Sequence, residues 1–149
     1  MKKVLIAVDG SAASDGAVRV GLEVAEGEGA DVVFVHAYPP VDLLPGVYGT
    51  TAAAVHTPNA DDSAPLVAAL AIAEAHDVAA TAELLVGDPA AEIVTYADSI
   101  GADLIVIGSR GLGAIGRMLL GNVSRAVLRE SRRPVLVVRE VEAATPAVA

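Results

Sequence analysis

Three glycines at fixed spacing, Gly108-x2-Gly111-x9-Gly121, stand between a strongly apolar run, Asp103-Leu-Ile-Val-Ile107, and a helical pattern from Val123 to Glu130. A strand that hands over to a helix through glycines presents backbone N–H groups and a positive helix end, and together these hold a phosphate. Gly108 stands where the strand ends, Gly121 precedes the helix, and Asn122 is a good N-cap. The amides around Val123, Ser124 and Arg125 then face the anion. Glycine suits such a loop because a Cβ would hold the backbone away from a ligand and forbid positive φ. The bland alternative is a flexible loop whose glycines merely pack. Arg110 is either a phosphate ligand or a solvated loop arginine. Asp9 closes the first apolar run; its carboxylate can accept from a ribose hydroxyl or an adenine amino group, and it is equally suited to cap the helix that follows.

A second glycine pattern overlaps the first. Gly111-Leu-Gly113-Ala-Ile-Gly116 formally matches the dinucleotide fingerprint, with Glu140 at a suitable distance. That fingerprint begins at a strand end and opens a helix there. Here it begins late and falls in the last βαβ unit, which leaves no second half for another nucleotide. Machinery for turnover is sparse. There is no Gly-x4-Gly-Lys-Ser/Thr and no Gly-x-Ser-x-Gly, and His36, His56 and His76 share no metal-ligand spacing. No catalytic residue and no metal site are expected, so binding is better supported than chemistry.

The elements that must position these residues follow from hydrophobic periodicity. Lys3 to Val8 is a buried strand ending at Asp9-Gly10. A helix capped by Ser11 or Ser14 follows, with Ala13, Ala17, Val20, Gly21, Val24 and Ala25 inward and Gly27 and Gly29 stopping it. Asp31 to Tyr38 is the second strand, closed by Pro39-Pro40. Periodicity then lapses, so residues 39–63 are expected to form a long loop, either a lid or a surface excursion. Asp62 or Ser63 caps the next helix, which carries Pro65 early and runs to about His76, a partner for the helix dipole. Val78 to Val86 is the third strand. Asp88-Pro89 reads as N-cap and first helical residue, with Ile93, Tyr96, Ala97 and Ile100 inward, and Leu104 to Ile107 is the fourth strand. The last helix turns Val123, Ala126 and Val127 inward; Pro134 to Arg139 is a fifth strand and Glu140 to Ala149 a frayed tail. Five apolar strands alternating with four helices make a parallel, doubly wound α/β sheet covered on both faces. Right-handed crossovers bring Asp9, Val35-His36 and Gly108 to one edge.

A chain of 149 residues fits one domain with a core that needs no cross-links, and cysteine is absent. Apolar residues make up 54%, yet no apolar run approaches the roughly 18 to 20 residues of a membrane span. The N-terminal apolar stretch is too short for a signal peptide and ends in an aspartate. Net charge is −9 without a basic block, which argues against nucleic-acid and anionic-membrane partners. A soluble cytoplasmic protein is expected. The acidic, lysine-poor composition is compatible with a high-salt cytoplasm and equally with a GC-rich genome.

Three segments in this order resemble the universal stress protein family: Val4-Leu-Ile-Ala-Val-Asp-Gly-Ser11, Gly108-Ser-Arg-Gly111 through Gly121-Asn-Val-Ser124, and Arg133-Pro-Val-Leu-Val-Val-Arg139. The resemblance covers residues 2 to 140. It implies a five-stranded parallel sheet in order 3-2-1-4-5 and a homodimer joined through the last strand, Val135, Leu136, Val137 and Val138. In the ATP-binding subclass of this family the loop reads Gly-x2-Gly-x9-Gly-Ser/Thr. Carried across, Ala7, Val8, Asp9 and the backbone at Val35 meet the adenosine. Ile107, Gly108, Gly111, Gly121, Asn122, Val123 and Ser124 line the ribose and phosphates. The cofactor implied is ATP, or ADP or AMP, with magnesium entering only through the nucleotide. Asn122 departs from the pattern: the backbone N–H survives and the amide can donate, but the compact hydroxyl is lost. The leading expectation is an ATP-binding, dimeric stress-response regulator with little or no hydrolysis. The alternatives are an interaction module of the same fold without nucleotide and a nucleotide-using enzyme.

Overall fold

The computed structural model describes residues 1–39, 41–45, 51–55, 60–110 and 120–139. In chain order its elements are β1 (Lys3–Ala7), α1 (Ala12–Glu28), β2 (Asp31–Tyr38), β3 (Val41–Pro45), β4 (Thr51–Val55), α2 (Ala60–Ala75), β5 (Ala80–Val86), α3 (Pro89–Ile100), β6 (Leu104–Gly108), α4 (Asn122–Glu130) and β7 (Val135–Val138). Five strands form one sheet in the order β5-β2-β1-β6-β7, and every pairing in it is parallel. Counted by chain position within the sheet this is 3-2-1-4-5, the order implied by the family resemblance.

The near-continuous apolar strands are explained by burial on both faces. Alternate residues of one strand point to opposite sides. Val4, Ile6, Val32, Phe34, Leu104 and Val106 therefore pack with Ala17, Leu22, Leu66 and Ala69 of α1 and α2. Leu5, Val33, Val35, Ile105 and Ile107 pack with Ile93, Ala97 and Val127 of α3 and α4. Phe34, the one phenylalanine, is fully buried on β2, a burial worth roughly 1.5–3 kcal/mol. Close helix–sheet approach is set by small residues. A Cβ on Gly108 would stand 2.7 Å from the carbonyl carbon of Ala13, and one on Gly21 would collide with the Ile6 side chain.

Local chemistry sets the helix ends. Ser11 caps α1 by accepting from the Ser14 amide, and Asp88 caps α3 by accepting from the Ala91 amide at 3.1 Å, with Pro89 opening that helix as expected. Gly29 and Gly101 close the same two helices in the left-handed conformation at φ 64° and 66°. Gly27, expected to help stop α1, lies inside it. His76 follows α2 and pairs with Glu26 at 3.2 Å.

Regular structure occupies parts of the stretch 39–63, where a long loop is expected. Val41–Pro45 and Thr51–Val55 form a two-stranded antiparallel hairpin, apart from the main sheet. The second strand, Thr-Ala-Ala-Ala-Val, has three alanines at its centre, residues with little strand preference, so its pairing is what reveals it. Helix α2 likewise begins at Ala60, ahead of the expected Asp62 or Ser63, and Pro65 lies inside it rather than in its first turn. His56, Gly113, Gly116 and the segment Glu140 to Ala149 lie outside the described residues.

Candidate functional site

Beyond the C-terminal ends of β1 and β6 the chain winds off in opposite directions. After β1 it crosses through α1 to β2; after β6 it crosses through α4 to β7, on the other face. Parallel sheets open a crevice at such a switch point. A cavity of about 560 Å³ lies there, within the range of small-molecule sites. Ala7, Val8, Asp9, Val35, Ile107, Gly108, Arg110, Gly121, Asn122, Val123 and Ser124 all line it. Gly111 lies outside the described residues. His36, expected at this edge beside Val35, lines the cavity too, and so do Ser11, Ser14, Ala37, Tyr38, Pro39, Pro89 and Ile93, which were not expected in the site. The ends of β2 and α3 carry most of these, and the signals were present: Pro39 ends a strand at the shared edge, and Pro89 opens a helix there.

The turn after β1 is locked by its own polar groups. The Asp9 amide donates to Ser14 Oγ at 3.0 Å, and Asp9 Oδ1 accepts from the Ser11 amide at 2.9 Å. This side-chain turn leads into Gly10, which holds φ +84°. Asp9 is thus not the cap of α1; that role falls to Ser11. Ser11 Oγ also donates to the carbonyl of Arg110 at 3.4 Å, tying the first turn to the loop after β6.

The N-terminus of α4 is built differently. Its cap is Gly121, with no side-chain hydrogen bond, and Asn122 is the first helical residue rather than the cap. The Gly121 amide donates to the Ser109 carbonyl, and the Gly121 carbonyl accepts from the Arg125 amide at 3.1 Å. Arg125 is therefore already inside the helix ladder, and the amides without an intrahelical acceptor are those of Asn122, Val123 and Ser124. The Ser124 side chain is 2% exposed, and its hydroxyl donates inward to the carbonyls of Ser109 and Gly121. What Ser124 presents outward is its backbone. Val123, expected to point to the core, is 37% exposed and borders the cavity. Helical spacing turns Ser124 inward in its place, while Val127 is buried and Ala126 packs beside it as expected.

Neither Gly108 nor Gly121 holds a positive φ. Gly108 is a strand residue that must be small because the backbone of Ala13 and Ser14 passes over it. Gly121 is extended (φ −74°, ψ 169°), and its lack of a side chain is what leaves the helix end uncapped.

On the other side of the cavity the β1–β2 ladder stops. Its register ends at Ala7↔Val35, followed by one more bond, Val8 N–H to the Val35 carbonyl at 2.8 Å. Val35 lines the cavity, but its carbonyl is occupied, so the open backbone is not there. Peptides along a strand face alternate neighbours, and Tyr38 faces β5 through its carbonyl's bond to the Gly87 amide. The next peptide facing β1 is that of Ala37, beyond the end of that strand. Among the described residues its N–H has no strand partner. The Val8 carbonyl, which would be that partner in a continued ladder, accepts from His36 Nδ1 at 2.8 Å. His36 and Tyr38 stack with ring centroids 6.4 Å apart. Burial, and secondarily the Asp62 carboxylate, push the Tyr38 phenol up from its ordinary value, so it is neutral at physiological pH.

The family model for the universal stress protein family matches residues 1–139. The chain belongs to that family. A universal stress protein of Thermus aquaticus is 39% identical over 93% of this chain and 98% of its own length. The chain spans about half the length of the mycobacterial universal stress proteins it matches. A crystal structure of a universal stress protein in complex with cAMP superimposes with TM-score 0.71 at 30% identity, covering 94% of this chain and 98% of that one. The Archaeoglobus fulgidus universal stress protein in complex with dAMP gives TM-score 0.67 at 28% identity over 93% and 97%. Among the described residues no group of three or more His, Asp or Glu side chains is arranged to hold a metal, and no helix is long and apolar enough to cross a membrane.

Proposed function

We propose that this chain is an adenine-nucleotide-binding universal stress protein that takes ATP, with ADP or AMP as related ligands. The reading rests on one observation: a single cavity has an open peptide edge at one side and an uncapped helix N-terminus at the other. The Ala37 N–H and C=O supply a donor and an acceptor side by side, which suits the amino and ring-nitrogen edge of adenine. The amides of Asn122, Val123 and Ser124 supply the anion end. Asp9, fixed by its turn, serves the ribose or the base, and Arg110 serves the phosphates. The cAMP and dAMP complexes of the similar proteins support the same ligand class.

Phosphate recognition of this kind uses backbone groups that do not transfer protons, so binding is expected with little or no hydrolysis. Magnesium enters only with the nucleotide. The strand β7 is one edge of the sheet, and its four residues, Val135 to Val138, are half-buried. An apolar edge of this kind invites pairing with a second copy, so the protein is read as a homodimer through β7, acting in the cytoplasm as a stress-response regulator. Protein purified without added nucleotide, denatured and assayed for adenine nucleotides, then titrated with ATP, AMP and GTP by calorimetry, tests the ligand. Adenine-selective binding is the expected result. No co-purified nucleotide and no heat of binding at millimolar ATP or AMP would leave a nucleotide-free interaction module. Phosphate release lost on Asp9→Ala would make it an enzyme. Light scattering at micromolar concentration tests the dimer, and a monomer overturns it.

A further inference from the structure

We propose that His36 is a positioning residue that ends the β1–β2 ladder one peptide early and so holds the Ala37 amide available to the ligand. In a parallel ladder a residue that donates to one peptide accepts from the peptide two residues further along the neighbouring strand. Val8 donates to the Val35 carbonyl, so its own carbonyl is due to accept from Ala37 N–H. It accepts from the His36 imidazole instead, at 2.8 Å. A carbonyl only accepts, so Nδ1 carries the hydrogen of that bond.

The substitution of a side-chain donor for a backbone donor has a consequence for the cavity. Were His36 unable to donate, the Val8 carbonyl would lose its side-chain donor, Ala37 N–H would be the next donor in the ladder, and the ladder would be free to extend by one rung. The amide proposed to meet the base would then be consumed inside the sheet. His36 keeps the Val8 carbonyl satisfied without spending Ala37. Its stacking on Tyr38 fixes the ring from the next residue on the same side of β2.

This inference rests on the nucleotide reading for its ligand, but the ladder itself is testable without one. Full-length wild type, His36→Leu and His36→Asn are compared by residue-resolved amide hydrogen exchange. Asparagine places an amide donor where Nδ1 stands; leucine offers none. In ligand-free protein the Ala37 amide is expected to exchange fast in wild type and His36→Asn, and at least tenfold more slowly in His36→Leu. AMP titration is expected to show affinity about three- to tenfold weaker for His36→Leu, one net hydrogen bond, and close to wild type for His36→Asn. A slow Ala37 amide in ligand-free wild type overturns the proposal, even if neither variant folds. Equal exchange in wild type and His36→Leu overturns it too. If none of the three proteins binds AMP, the nucleotide reading fails, while the exchange rates still decide whether His36 interrupts the ladder.

Discussion

The two ends of the parallel sheet treat their loose backbone groups in opposite ways. At the N-terminal end they are tied off. Asp103 Oδ2 accepts from the amides of both Lys2 and Lys3, at 2.8 and 3.0 Å, and Lys3 Nζ donates to the Ile100 carbonyl. Arg133 bonds Asp98 Oδ1 and the Ala102 carbonyl, each at 3.0 Å. At the C-terminal end α4 has no side-chain cap, and the Ala37 amide has no strand partner among the described residues. A fold normally satisfies such groups. Around this cavity it leaves the Ala37 amide and the first amides of α4 without such partners among the described residues. The contrast also runs between helices: α1 and α3 are capped by Ser11 and Asp88, while α4 is not.

Closing the open helix end should produce the largest change. Gly121→Asp places a carboxylate at the cap of α4 in a backbone conformation any residue adopts. It should lower ATP and AMP affinity by about 10- to 100-fold, the scale of a lost charge-assisted hydrogen bond. Stability should hold or rise by a few tenths of a kcal/mol. Calorimetry and urea unfolding read the two effects separately, and unchanged affinity would break the contrast between open and closed ends.

Gly108→Ala tests whether that glycine serves packing rather than the ligand. The added methyl meets the Ala13 and Ser14 backbone, so a loss of about 1–3 kcal/mol in urea unfolding is expected. An unchanged midpoint would return Gly108 to a ligand role. Removing a closed cap should be milder: Asp88→Ala should cost about 1 kcal/mol and leave nucleotide affinity within twofold.

The smallest effect concerns the tied-off end. Hydrogen bonds from the Lys2 and then the Lys3 backbone hold the Asp103 carboxyl below its ordinary value of 3.8. The group therefore contributes stability that is fully present above that value and is lost as pH falls through the lowered native one. Asp103→Asn should be less stable than wild type at neutral pH. The two unfolding curves should converge in acid below pH 3.8, without any change in AMP affinity at pH 7. A stability difference independent of pH would mean that Asp103 acts by shape rather than charge.

Much of this was legible in the chain. The five apolar runs and the Ser11 and Asp88-Pro89 helix starts are local features, set by residue type and spacing within a few positions. The convergence of Asp9, Val35 and Gly108 followed from the handedness of parallel crossovers. The hairpin of 41–45 and 51–55 was not legible, because an alanine-rich strand declares itself only through its partner. The role of Asn122 was also misplaced: Asn is a favoured cap, but the extended residue that actually precedes the helix is Gly121.

The sequence alone determined the class of fold and the edge at which the cavity opens, because periodicity and chain order are carried by neighbours along the chain. Tertiary structure decided which peptide groups are open there. The loss of Val35's carbonyl to Val8 and of Val8's carbonyl to His36 are exchanges between separate strands. The reason for Gly108 lies in a helix that crosses it from the other end of the chain. Hydrogen-bond satisfaction is a property of the assembled sheet, and no single stretch of residues contains it.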